Sequence, residues 1–312
     1  MTFLKVEGLS STYLSSRGPV YAVDDVDFEL DGGESIGIAG ESACGKSTLG
    51  LSLIRMLIGG TASGSVIFDG DSILDMDESK FDGEYRWKKI SMIFQGAMSS
   101  LDPVFTINEQ FVEILKQHGY RGDCKKIISD AMNSVSLDGN VLKKYPHELS
   151  GGMKQRAVIA MALLLRPKFV IADEPTTALD VLIQAQIINL LKSLKKDGMS
   201  FMLITHDLAV LSEIADKIGI MYGGQMVEFG SSEQIYKNPM HPYTRGLLES
   251  IPTLRGGTPK YIRGIPPSLL DAPTQCRFLE RCPLAVEKCK ELPPKFKTAT
   301  GYVRCWLYED EK

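Results

Sequence analysis

Residues Glu34 to Leu57 read ESIGIAGESACGKSTLGLSLIRML, and this stretch decides the fold. ESIGIAG (Glu34 to Gly40) is a short apolar run with the character of a buried strand. It runs straight into Gly40-Glu41-Ser42-Ala43-Cys44-Gly45-Lys46-Ser47-Thr48, a loop with the G-x-x-x-x-G-K-S spacing. From Lys46 to Leu57 the apolar residues recur at roughly helical spacing. Strand, glycine loop and helix in that order are the context in which such a loop cradles phosphate. Backbone N–H groups of the loop and the positive end of the helix face the β- and γ-phosphates of a nucleotide. Lys46 adds a point charge to them, and Ser47 offers its hydroxyl to Mg²⁺. Cys44 reads either as a reactive thiol or as a merely small residue that lets the loop close.

Outward from this loop the chain alternates strands and helices. FLKVEGLS and VYAVDDVDFEL form an N-terminal β part, with turn residues Ser15 to Pro19 between them. SGSVIFDGDSIL has hairpin character, and KKISMIFQG is a buried strand ending at Gln95. From about Thr106 to Leu165 the pattern is helical, broken at Gly119 to Gly122 and near Tyr145-Pro146. FVIADEP and SFMLITHD return as strands on either side of the helix VLIQAQIINLLKSLKKDG, and IGIMYGGQMVEFG follows. The expected fold is α/β: a phosphate-loop domain over residues 1–238, with an antiparallel β part at its start and a helical insertion at about 97–165.

Composition shifts after Asn238, where ten of the fifteen prolines fall. Proline density of this kind predicts neither regular helix nor central strand. Residues 239–312 are therefore expected to be a loop-rich extension whose small core needs a staple. The staple is at hand in Cys276, Cys282, Cys289 and Cys305, four of the six cysteines. No export signal precedes them, so the cluster reads as metal or cofactor ligation before disulfides. It lacks the tight C-x2-4-C knuckles of structural zinc sites, while four thiolates also suit an iron–sulfur cluster; zinc and free or oxidised thiols are the alternatives.

Bulk properties set further limits. Hydrophobic content of 44% and charged content of 24% suit a globular protein, and a net charge of −4 gives no nucleic-acid-binding surface. No run approaches the ~20 apolar residues that span a bilayer. Any service to a membrane is expected to be peripheral, on the cytoplasmic side where ATP is found.

Two further stretches narrow the chemistry. Asp173 and Glu174 close the apolar strand FVIA, and carboxylates at the C-terminal end of such a strand face the ligand crevice of α/β sheets. In LSGGMKQR (Leu149 to Arg156), Ser150 is placed to cap a helix, whose free N–H groups form an anion site. The phosphate loop, LSGGMKQR and VIADEPTTALD together resemble the ATP-binding-cassette (ABC) ATPases. FQGAMSSLDPVFTINEQ, NPMHPYTRGLLESIP, GIPPSL and the cysteine-bearing tail make the resemblance specific to the ATPase subunits of dipeptide, oligopeptide and nickel importers.

That resemblance implies roles for single residues. Asp173 would hold Mg²⁺ through water, with Gln95 sensing metal and γ-phosphate, and Glu174 would be the general base for the attacking water. His206 would be the switch histidine, and Asp180 would couple two sites. Ser150, Gly151 and Gly152 would close over the nucleotide of a second subunit, whether another copy or a paralogue. Tyr13 is the candidate for stacking on adenine, with Tyr21 competing. Relatives with this cysteine pattern carry a [4Fe–4S] cluster.

Two transmembrane permease subunits are implied as partners, docking beside Gly96 to Thr106, and an extracytoplasmic solute-binding protein works with them indirectly. Peptide is the leading cargo; nickel and oligosaccharide import are the alternatives. A soluble ABC ATPase of DNA repair or translation is the competing class. It is disfavoured by the single cassette, the lack of heptads and the acidic balance, so no nucleic-acid partner is expected.

Overall fold

The computed structural model describes residues 2–96, 99–177, 179–251 and 261–309. The chain divides into two compact units: Met1–Asp75 with Leu203–Lys312, and Met76–Met202.

The first unit holds two sheets. One is antiparallel, built from β1 (Thr2–Ser15), β2 (Gly18–Asp31), β4 (Gly60–Phe68) and β5 (Asp71–Ser72) in the order β2-β1-β4-β5. Leu4, Val6 and Leu9 of β1 turn one face inward, as a sheet wetted on the other side requires. The second sheet is built on β3 (Ser35–Ala39), all five residues of which are buried. β3 runs parallel to β9 (Lys217–Tyr222), and β9 turns antiparallel into β10 (Gln225–Ser231). The chain end then adds two short strands, β11 (Phe296–Lys297) and β12 (Tyr302–Val303), with β12 on the free edge of β10.

Helix α1 (Lys46–Leu53) starts where the sequence places it but stops four residues before Leu57. The Arg55 N–H donates to the Ser52 carbonyl and the Met56 N–H to that of Leu51, with Arg55 at φ 56°. This is a Schellman stop with arginine in the place usually given to glycine, so composition gave no warning of it.

The second unit pairs β6 (Ile90–Ile93) in parallel with β7 (Phe169–Asp173) and carries five helices among its described residues. They are α2 (Glu78–Glu84), α3 (Ile107–Gln117), α4 (Cys124–Ser134), α5 (Gly151–Leu163) and α6 (Val181–Lys196). Each starts on a side chain that meets the first free N–H groups: Asp77, Thr106, Asp123, Ser150 and Asp180. Thr106 and Glu109 form a full capping box. The division between the units falls within β8 (Ser200–Ile204), which is buried throughout.

After β8 come α7 (Leu208–Ile214), α8 (Ser232–Lys237) and α9 (Pro242–Glu249). α9 corrects the expectation that residues 239–312 hold no regular helix. Pro242 occupies its first turn, where a missing N–H costs nothing. Nor does the extension rest on a small core of its own. Tyr243, Phe278, Tyr302 and Val303 are buried, and Phe278 stands edge-on to Tyr222 of β9 at 5.1 Å. Pro252 and Pro259 lie outside the described residues. No helix among the described residues is long and apolar enough to cross a membrane.

Candidate functional site

In the first unit the phosphate loop is already curled around its lysine. Lys46 Nζ donates to the carbonyls of Gly40 and Glu41, each at 2.8 Å, and is almost fully buried. Two glycines make the curl possible. A Cβ on Gly40 would lie 2.1 Å from the Met221 carbonyl oxygen, and one on Gly45 would lie 2.0 Å from that of Ala22. Both also take positive φ, so any side chain there would push backbone against backbone.

Cys44 fills the inside of the loop. Burial pushes its thiol up, against the pull of Lys46, and a buried protonated thiol is a weak nucleophile. Of the two readings of Cys44, the structure favours the merely small residue. The Gly224 N–H, from the β9–β10 turn, donates to the Cys44 carbonyl at 3.0 Å and braces the loop from behind.

Three other sequence candidates lie in this unit. His206 is exposed just past the end of β8, followed by Asp207, which caps α7. Tyr13, half-buried on β1, lays its ring against Gly60 of β4. Tyr21 stands opposite Thr12 on β2, one pair along from Tyr13 and Val20.

The second unit gathers the carboxylate motif. Asp173 is buried at the end of β7. Glu174 follows at φ 49°, an uncommon backbone for a residue with a side chain and worth about 1–3 kcal/mol of strain. Its carboxylate accepts from Gln95 Nε2 at 3.0 Å and from Thr177 Oγ1 at 2.9 Å. Two sequence candidates separated by 79 residues are thus in direct contact. Ser150 caps α5 by accepting from the Met153 N–H, leaving the N-terminal backbone of Gly151 and Gly152 at the helix mouth. Asp180 caps α6 by accepting from the Ile183 N–H. Sequence reading missed Gln155, which is buried in α5 and donates to the Pro175 carbonyl at 2.7 Å. That bond ties LSGGMKQR to the turn beyond Glu174.

The four tail cysteines, separated by up to 29 residues of chain, come together. Cys276 donates its N–H to the Cys289 carbonyl at 3.0 Å. Burial first, then the charges of Cys289, Cys305 and Cys282, push the Cys276 thiol up to about 12. Cys305 is raised to about 11 by burial, with Cys282 and Cys289 adding to it. All are free thiols. Among the described residues no group of three or more His, Cys, Asp or Glu side chains is placed to hold a single metal ion.

With this geometry in hand, comparison with known proteins is decisive. Residues 23–177 match the ABC transporter family, and residues 227–289 match the oligopeptide/dipeptide transporter C-terminal region. Over 98% of its length the chain is 43% identical to the dipeptide transport ATP-binding protein DppD of Caldanaerobacter subterraneus subsp. tengcongensis, covering 97% of that protein. The chain is an ABC-transporter ATP-binding subunit.

The subunit is also 43% identical to the oligopeptide transport ATP-binding protein AppD of Bacillus subtilis, over 99% of this chain and 98% of that one. With the oligopeptide transport ATP-binding protein OppD of Escherichia coli it shares 42% over 96% and 91%. Among solved structures it is similar to the ATP-binding cassette MJ0796 in a dimeric post-hydrolysis state bound to ADP and Pi. That likeness has a TM-score of 0.65 and 28% identity, and covers 73% of this chain and 98% of that one. The ABC ATPase fold and ATPase class expected from the sequence therefore hold.

The family comparison places His241 and its neighbours in the matched C-terminal region. The structure gives them a job that the sequence did not suggest. Glu228, fully buried on β10, accepts from the N–H groups of Met240 and His241. His241 Nδ1 accepts from the Tyr243 N–H at 3.0 Å, and burial holds the imidazole neutral by lowering it to about 3. Arg281 donates from both terminal nitrogens to the Glu41 carboxylate, at 2.7 and 2.8 Å. No local signal could have found these contacts, because the partners lie more than 200 residues apart.

Proposed function

We propose that this ATP-binding subunit drives a peptide importer from the cytoplasmic face of the membrane, paired with a second cassette beneath two permease subunits. The observation that carries the catalytic part is the grip on Glu174 at the end of β7, held by Gln95 and Thr177 on a strained backbone. A carboxylate so fixed is the general base for the water that attacks the γ-phosphate. The loop from Gly40 to Thr48 receives the phosphates, with Lys46 exchanging its loop carbonyls for phosphate oxygens. Ser47, Asp173 and Gln95 offer hard oxygen donors, the set that suits Mg²⁺. When bound, Mg²⁺ neutralises charge on the transferring phosphate. His206 contacts the γ-phosphate, and Tyr13 stacks on the adenine.

The capped mouth of α5, at Ser150, Gly151 and Gly152, receives the nucleotide of the second cassette, and Asp180 links the two sites. Val181 and Leu182, large apolar residues left highly exposed beside Asp180, support an interface there. Val104 and Phe105 are exposed in the same way and support permease docking on Gly96 to Thr106, of which residues 97 and 98 lie outside the described residues. Peptide as cargo is supported by the names of the relatives at 42–43% identity.

The four gathered cysteines are read as ligands of a [4Fe–4S] cluster. Its corners space their thiolates more widely than a single ion does, which suits four mutually charged thiols with no single-ion group among the described residues. Iron would also supply the deprotonation that burial opposes. Anaerobic protein should carry about four irons per chain; stoichiometric zinc without iron would replace the cluster.

The test of the whole reading is assembly. Light scattering on Glu174→Gln protein should show a dimer with ATP and Mg²⁺ and a monomer without, and detergent-solubilised permease should co-purify with the subunit. A dimer indifferent to nucleotide would overturn the interface assigned to Ser150 and Gly152.

A further inference from the structure

Glu41 is the one loop residue whose side chain and backbone are both taken by the chain's last quarter. Its N–H donates to Tyr243 Oη at 2.9 Å, and its carboxylate receives the Arg281 fork. Neither partner is free to drift. Tyr243 is fully buried, packed on Tyr222 at 4.5 Å and on Phe278 at 5.4 Å, with its own N–H fixed by His241. The Arg281 side chain is about 5% exposed. It also donates to Tyr222 Oη at 3.1 Å and, from Nε, to the Arg263 carbonyl at 2.9 Å. Bidentate arginine–carboxylate pairs fix geometry as well as charge.

Glu41 sits between Gly40 and Ser42, and its own carbonyl is one of the two that hold Lys46 Nζ. Movement at Glu41 would therefore be felt at the ammonium that meets the phosphates. Arg281 in turn immediately precedes Cys282, so the packing of the cysteine-bearing segment sets where the fork stands.

We infer that Tyr243 and Arg281 are positioning residues of the phosphate loop, and that the C-terminal extension tunes ATP affinity through Glu41. The inference rests on the reading of residues 40–48 as the nucleotide site. Linkage makes the coupling reciprocal: what the extension gives to ATP binding, ATP returns as order in the extension.

The experiment is a double-mutant cycle on the full chain, with direct ATP binding as the readout. Arg281→Ala and Glu41→Ala should each weaken ATP binding about ten-fold, the scale of a lost charge-assisted bond. The double variant should lose no more than either alone. Tyr243→Phe, which keeps the ring packing and removes only the acceptor, should weaken binding by a smaller factor. Arg281→Lys should recover part of the loss. At saturating ATP kcat should be unchanged, so that the whole effect lies in KM.

Limited proteolysis supplies the reciprocal arm. ATP should slow cleavage after residue 238 in the parent chain and not in Arg281→Ala. Multiplicative losses in the double variant, or parental affinity in Arg281→Ala with a parental melting temperature, would overturn the inference. Lys46→Ala separates this failure from a deeper one. If that variant binds ATP normally, the reading of the loop itself falls; if it loses binding while the Arg281 and Tyr243 variants keep it, only the strut falls.

Discussion

The nucleotide motifs and the C-terminal extension are built on opposite plans. Lys46 is held by carbonyls five and six residues away, and Ser150, Asp180 and Asp207 cap helices within three residues of themselves. The extension closes almost nothing locally. Arg281 reaches back 240 residues to Glu41, and Arg304 reaches back 279 to the Asp25 carbonyl. Tyr302 Oη donates to the Asp27 carbonyl at 2.9 Å, and Lys295 pairs with Asp25 and Asp27. A locally written site survives as a motif, whereas a site written over long range survives only as a fold. Function can be lost from the first without loss of structure; in the second the two are lost together.

The largest effect separates the plans cleanly. Glu174→Gln should cut ATP turnover by about 10²–10⁴-fold, the usual worth of a positioned general base. Nucleotide affinity and melting temperature should stay near the parent's. A steady-state assay with partners present, beside a thermal melt, checks both; near-parental turnover would remove Glu174 from the chemistry.

Phe278→Ala should do the reverse. This ring is 2% exposed among Tyr222, Tyr243 and His241, and its loss should cost about 3–5 kcal/mol in chemical denaturation. Part of that loss should be returned by saturating ATP, as expected if extension and loop share one packing.

Acid should find the extension first. His241 is held neutral by burial, with Arg245 adding to it, and its imidazole is lowered to about 3 from the ordinary value near 6.5. Between those values the unfolded chain binds the extra proton, so stability is full above about pH 6.5 and is lost as pH falls, by up to about 1.4 kcal/mol per unit. Glu228, raised by burial, works with the opposite sign just above the usual carboxylate range. His241→Asn keeps an acceptor for the Tyr243 N–H and removes the titration. Its stability should be flatter between pH 6.5 and 5 than the parent's. Parallel profiles would place the sensitivity elsewhere.

The smallest effect concerns the stop of α1. Arg55→Gly relieves a positive φ at a helix end and should change stability by less than about 1 kcal/mol, upward unless the Arg55 bond to the Ile73 carbonyl matters. ATP affinity should not move.

Most of the α/β order was legible because periodicity and caps are local signals: β3, β6, β7 and β8 lie inside the apolar runs that announced them. The loop from Gly40 to Ser47 was legible for the same reason. The pairing of Gln95 with Glu174 followed from resemblance and is a contact in the structure, though spacing alone could not have shown it. What escaped was whatever depends on a distant partner. Proline density announced loops, but not that Pro242 opens a helix or that β12 pairs with β10. The four cysteines could be seen as a group, while Arg281 among them looked like any surface cation. Its meaning lies in Glu41, and no window of sequence contains both.

The division of the chain also has a consequence for its birth. Residues 76–202 form one continuous compact unit and leave the ribosome as one. The other unit is split around them: β3 waits for β9, and the Ser35 N–H waits 181 residues for the carboxylate of Asp216. The phosphate loop waits longer still, for Tyr243 and Arg281. A nascent chain thus carries every nucleotide motif well before it has the brace that shapes the loop. Unfinished or truncated chains would compete poorly for ATP, and only a translated C-terminus completes the grip. Such ordering by topology delays the engine until the last segment has been made.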